Sequence, residues 1–150
     1  MAPLDLQEFF RAWAPADVQE TLAWLLDNGY ELASQHGSNT FGAAFHLVGD
    51  VEVVIVVDRS QWGLAVAPTP DAEAWSYDLL LAAHSGMDYR ERFPSVERVP
   101  FTSPLAAQLP EGVSWRATLP EILVWVKRPG VDAGVEEALR QRVAQMWPEP

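Results

Sequence analysis

Residues 41–67 read FGAAFHLVGDVEVVIVVDRSQWGLAVA, and this stretch decides the fold. It is rich in Val, Ile, Phe and Trp, and it is cut twice by short polar breaks, at Gly49-Asp50 and at Arg59-Ser60. That is the pattern of three antiparallel strands joined by tight turns. Strands are expected at Phe41–Leu47, Val51–Asp58 and Gln61–Ala67. Side chains alternate between the two faces of a strand, so pairing register is fixed wherever one face must be apolar. A two-residue loop at Arg59-Ser60 sets Val57 against Trp62, Ile55 against Leu64 and Val53 against Val66. A three-residue loop at Val48-Gly49-Asp50 would set Leu47 against Val51, Phe45 against Val53 and Phe41 against Val57. Both choices gather the large apolar residues on one face. A two-residue loop at Gly49-Asp50 mixes the faces and is rejected.

The opposite face then carries Gly42, Ala44, His46, Glu52, Val54, Val56, Asp58, Gln61, Gly63 and Ala65. It is shallow and only partly polar. Such a face either admits a closely packed helix or offers a smooth surface to a partner, and the first is the commoner arrangement.

Outward from the meander, Tyr30–Gln35 is expected to add a strand, with a turn at Gly37-Ser38-Asn39. Upstream, Leu6, Phe9, Phe10 and Trp13 repeat at helical spacing, and Val18, Leu22, Leu25 and Leu26 form the stripe of a second helix. Asn28-Gly29 closes that helix. Downstream, Trp75–Ala83 reads as a short helix closed by Gly86. Thr118-Leu119-Pro120-Glu121 has the form of a capping box with proline in the first turn. A last helix opens at Asp132 with Val135, Leu139, Val143 and Met146 along one side. A strand around Val96–Phe101 is also expected. The fold class is therefore α+β: an antiparallel β-meander of three to five strands with helices packed on it, helical at both termini, in a single domain over 1–150.

Composition bounds the function. The 150 residues are 49% hydrophobic and 21% charged, with seven Trp and no Cys. Aromatic richness argues against disorder, and the missing cysteines exclude disulfides, thiolate nucleophiles and cysteine-based zinc sites. Neither a secretory leader nor a membrane span is apparent, so a cytoplasmic location with no membrane partner is expected. The net charge of −11 is uneven. Residues 1–87 hold twelve Asp/Glu against two Arg, whereas residues 88–150 hold nine against eight Lys/Arg. A field of that sign repels phosphate backbones and draws cationic partners, so no nucleic acid is expected as ligand.

No residue constellation amounts to a catalytic motif. His46 would face Glu52 across the meander, but a metal would need a third ligand, for which only Asp58 is near, and no HExxH spacing exists. His84, Ser85 and Asp88 lack the GxSxG elbow of a hydrolase. No glycine-rich phosphate loop occurs. The expectation is a non-enzymatic protein with no cofactor and no metal. Trp62, Trp13, Trp24 and Trp125 are expected in the core. Asp71, Glu73 and Asp78 cluster around Trp75, and an aromatic beside carboxylates is the composition of a protein-binding hot spot. Partner binding is accordingly placed on Asp71, Glu73, Trp75 and Asp78.

Asp58-Arg59-Ser60-Gln61-Trp62, followed by Ala67-Pro68 and Trp75-Ser76-Tyr77-Asp78-Leu79, resembles a pattern shared by small bacterial α+β proteins: a strand, D-R-x-Q-W, a strand, then a W-x-x-D-L helix. These are similar to immunity proteins of polymorphic-toxin systems. The likeness spans roughly residues 40–85 and extends to Leu109-Pro110-Glu111-Gly112. It implies a binding protein that neutralises a cognate toxin domain, and the acidity of residues 1–87 makes a basic one the expected partner. An acidic secretion-chaperone-like module, forming a homodimer and holding an effector, is the alternative.

Overall fold

The computed structural model describes residues 5–70, 72–92 and 114–146. The expected strand around Val96–Phe101 and the side chain of Trp147 lie outside them. The described elements are α1 (Leu6–Trp13), α2 (Ala16–Asp27), β1 (Glu31–Asn39), β2 (Gly42–Val48), β3 (Glu52–Asp58), β4 (Gln61–Ala67), β5 (Trp75–Ser76), α3 (Tyr77–Ser85), α4 (Tyr89–Arg92), α5 (Trp115–Trp125) and α6 (Val131–Met146). The fold is α+β. The strands form one antiparallel sheet in the order β1-β2-β3-β4-β5.

The β3–β4 hairpin has the expected register, with Val57 against Trp62, Ile55 against Leu64 and Val53 against Val66. Its two turn residues, Arg59 and Ser60, have φ of 51° and 66°. Positive φ at both central positions is the geometry whose twist suits a two-residue hairpin, though neither residue is the glycine that adopts it most easily. The β2–β3 register differs from expectation by two residues: Phe45 faces Ile55 and Leu47 faces Val53. A shift of two keeps every side chain on its own face, so alternation cannot detect it. The turn decides. It is Gly49-Asp50-Val51, where the Gly49 N–H donates to the Val51 carbonyl at 3.0 Å. Val51 is fully buried, and the Tyr30 ring lies so close over Gly49 that a Cβ there would be 2.8 Å from it.

One face of the sheet is the core. Phe45, Leu47, Val53, Ile55, Val57 and Leu64 are all fully buried. α1 and α2 cover this face, with the Phe10 ring 5.1 Å from both Phe45 and Trp62. The same apolar cluster continues through Leu80 of α3, Leu119 and Ile122 of α5, and Val135 of α6. Trp13, expected inside, is instead 62% exposed at the end of α1, and Phe41 is 70% exposed in the β1–β2 turn. Both fall at positions where the helix or strand stops. Trp24 and Trp125 are half-buried against the core. The opposite face is uneven: Val54, Ala65 and Ala67 are buried, while Ala44, His46 and Val56 are half-exposed.

The other departures also have physical causes. β1 runs on through Gly37 to Asn39, because Gly37 at φ 77° makes a bulge in place of a turn. Trp75 belongs to β5, paired with Val66, and α3 starts after it. Gly86 caps α3 in the left-handed conformation. α5 begins at Ser114, leaving Pro120 inside the helix. α6 buries Val131, Val135, Ala138 and Arg142, while Leu139 and Val143 are largely exposed.

Candidate partner-binding surface

The N-terminal helices carry the acidity outward. Asp5 caps α1 by accepting from the Glu8 N–H at 3.1 Å, a usual place for a carboxylate at the positive end of a helix. Asp5, Glu8, Glu20, Asp27 and Glu31 are exposed, and the side chain of Asp50 is 86% exposed, facing Lys127 at 3.7 Å. No Lys or Arg occurs anywhere between Arg11 and Arg59. Trp13 projects from the α1–α2 junction within this region.

Asp17 belongs to α2 but does not contribute to that surface. One carboxylate oxygen accepts from the Ser114 hydroxyl at 2.7 Å and the Arg116 N–H at 3.3 Å, and the other from the Trp115 N–H at 2.7 Å. It supplies partners to amide groups that the start of α5 would otherwise leave unmet. This explains why α5 opens four residues before the capping box at Thr118. The Thr118 hydroxyl instead donates back to the Ser114 carbonyl and bonds the Tyr77 hydroxyl at 2.7 Å.

The four residues assigned to partner binding separate in the structure. Asp71 lies outside the described residues. Glu73 is exposed, and Trp75 is half-buried, packed against the core from β5. Asp78 is only 2% exposed, so it cannot steer or pair with an incoming partner. Its carboxylate accepts from Arg142 Nη1 at 3.0 and 3.1 Å, from the Tyr89 hydroxyl at 2.6 Å and from the Ser76 hydroxyl. The group joins β5, α3, α4 and α6 through one buried carboxylate. Burial pushes the Tyr89 hydroxyl above its ordinary pKa, and the Asp78 charge adds to that. Burial does the same for Tyr77.

A sequence signal for this arrangement exists. Leu79 to Ala83 is apolar without interruption. A helix apolar on all sides is a buried helix, and a carboxylate in its first turn is carried inside with it.

At the opposite end of the sheet, the Asn39 side chain accepts from the N–H groups of Phe41 and Gly42 at 3.0 and 3.2 Å. The β3–β4 turn zips onto the β1–β2 turn, with the Arg59 N–H donating to the Phe41 carbonyl and the Ser60 N–H to the Thr40 carbonyl. The Arg59 guanidinium sits 5.9 Å from the Phe41 ring centroid. The D-R-x-Q-W motif is thus a hairpin turn whose Arg covers an exposed aromatic.

His46 and Glu52 do meet, with Nδ1 2.8 Å from Oε1, although they are diagonal and not opposed. The His36 ring packs edge-on against His46. His36 also borders an open groove of about 390 Å³ floored by Gly37, Gly42, Ala44 and Val56. Among the described residues no group of three His, Asp or Glu side chains is placed to hold a metal ion. The Ser85 hydroxyl donates to the Ala82 carbonyl, while His84 faces Glu121 and Trp125, so these neighbours in sequence are not partners in space. No helix among the described residues is long and apolar enough to cross a membrane. The chain matches no protein-family model, no curated protein and no solved structure.

Proposed function

We propose that this chain is a non-enzymatic protein-binding domain of the immunity type, which neutralises a cognate basic bacterial toxin by covering it. The observation that carries the reading is the acidic α1–α2–β1 side, with exposed Glu8, Glu20, Asp27 and Glu31, the last three in a span from residue 12 to 58 that has no Lys or Arg. Toxins that act on nucleic acid present cationic surfaces, and opposite charge speeds encounter and fixes orientation. Trp13 supplies an aromatic anchor of the kind that limits dissociation. The binding surface moves accordingly from the Trp75 region to the N-terminal helices, since Asp78 is enclosed.

The test is to look for a toxic domain encoded beside this chain, whose absence would count against the reading, and to co-express the two. Growth should be restored by the parent, and a variant with Glu8, Glu20 and Asp27 changed to Lys should fold yet fail to restore it. Equal protection by that variant would overturn the reading.

A further inference from the structure

We propose that the outer edge of β1 is the docking line itself, and that it takes an extended, basic segment of the partner as a sixth strand. This rests on the function proposed above and names its mode of contact. β1 is nine residues long and terminates the sheet. Among the described residues its outer edge carries no strand. Glu31, Leu32, Ala33, Ser34 and His36 are all exposed, so successive residues face solvent on both sides. The other edge, β5, is two residues long.

An open edge offers a row of unpaired N–H and C=O groups, and proteins usually blunt it with Lys, Pro, brevity or bulges. β1 has neither Lys nor Pro. It has irregularities at Leu32/Ser34 and Gly37/Asn39, with Gly37 itself at φ 77°, but between them Ser34, Gln35 and His36 pair regularly with His46, Phe45 and Ala44. A regular stretch of that length is enough to template a short added strand, as in other peptide-recognition domains that extend a sheet.

Charge selects the occupant. Residues 12–58 hold no Lys or Arg, and Glu20, Asp27, Glu31 and Asp50 are exposed on α2, β1 and the β2–β3 turn. A second copy would bring this acidic side against itself, which opposes pairing. A basic strand would be attracted along the same line. Main-chain hydrogen bonds would supply affinity, and the acidic surroundings would supply selection.

The probe is a synthetic peptide of about seven alternating lysines and valines, added to the whole chain. It should bind, and the outward-facing β1 amides between Ser34 and His36 should exchange more slowly with solvent deuterium. A version N-methylated at alternate residues keeps the charge but cannot complete the ladder. It should bind about tenfold or more weakly, as loss of two or three backbone hydrogen bonds implies. Equal binding of the two peptides would refute edge pairing while leaving the acidic, toxin-covering surface intact. No binding of the basic peptide at low salt would also refute it, and co-expression rescue would then judge the function separately. If β1 amides slow with protein concentration alone and the chain sediments as a dimer, the edge belongs to a second copy and the proposal fails.

Discussion

Gly37 pairs with Ala43, next to Gly42 on β2, and the two glycines tolerate a side chain very differently. At Gly37 φ is +77°, and a Cβ would stand 2.2 Å from the Gly42 carbonyl oxygen. Gly37→Ala should therefore cost at least the 1–3 kcal/mol or so of a forced left-handed backbone, while Gly42→Ala, with nothing within 4 Å of its Cβ, should shift the urea midpoint little. Asp78 is the other residue with large leverage. Replacing one member of a buried ion pair strands the other, at a cost of about 3–5 kcal/mol. Asp78→Ala should approach that loss in denaturant unfolding, and Asp78→Ala with Arg142→Met should recover part of it. Recovery by the double variant would separate a stranded charge from simple lost volume. Sequence presented Asp78 as one carboxylate among three near a tryptophan. Its partner lies 64 positions away in sequence, and no local pattern announces a bond over that distance.

At the scale of elements, the sheet was legible to the extent that side-chain alternation specifies it. The faces of β2, β3 and β4 follow from period two, and the β3–β4 register from the two-residue turn at Arg59-Ser60. β5 does not follow, since Trp75 reads as the start of a helix. The β2–β3 register does not follow either, because a shift of two residues satisfies the same alternation; the turn at Gly49-Asp50-Val51, closed by the Gly49 N–H on the Val51 carbonyl, sets it. Ile55 is fully buried at the centre of three strands. Ile55→Ala should lose about 2–5 kcal/mol, and a loss under about 0.5 kcal/mol would contradict the core assignment. Helices at the C-terminal end were harder to read. In α6 the hydrophobic stripe through Leu139 and Val143 is the exposed side, and the buried side ends in Arg142. A hydrophobicity pattern assigns the arginine to solvent, whereas the Asp78 carboxylate draws it in. In α5 the start depends on the distant Asp17 carboxylate, so the local capping box at Thr118 misplaces it. The candidate surface was half legible: the charge imbalance was plain, but which carboxylates face outward depends on helix rotation and burial.

Across the whole molecule, stability should depend on pH chiefly at the alkaline end through the buried tyrosines. Burial raises the folded-state pKa of Tyr30, Tyr77 and Tyr89 above the ordinary 10.0. The folded state therefore holds these protons more tightly than the unfolded one. That contribution is fully present below about pH 10 and is lost as pH rises beyond it. The melting temperature should be steady from about pH 8 to 9 and fall toward pH 11, and Tyr77→Phe should make the fall shallower. Two polar ties also join distant parts of the chain, Asp17 to the start of α5 across 97 to 99 positions and Asp78 to Arg142 across 64. A ribosome adding about 5–20 residues per second delivers α2 some 5–20 seconds before the amides it will cap. During that interval the sheet can be synthesised in full while Asp78 still awaits its arginine and α5 does not exist. The nascent chain is thus committed to waiting. Its first half leaves the ribosome before either tie can form, and only the last third, with Ser114, Trp115 and Arg142, completes both.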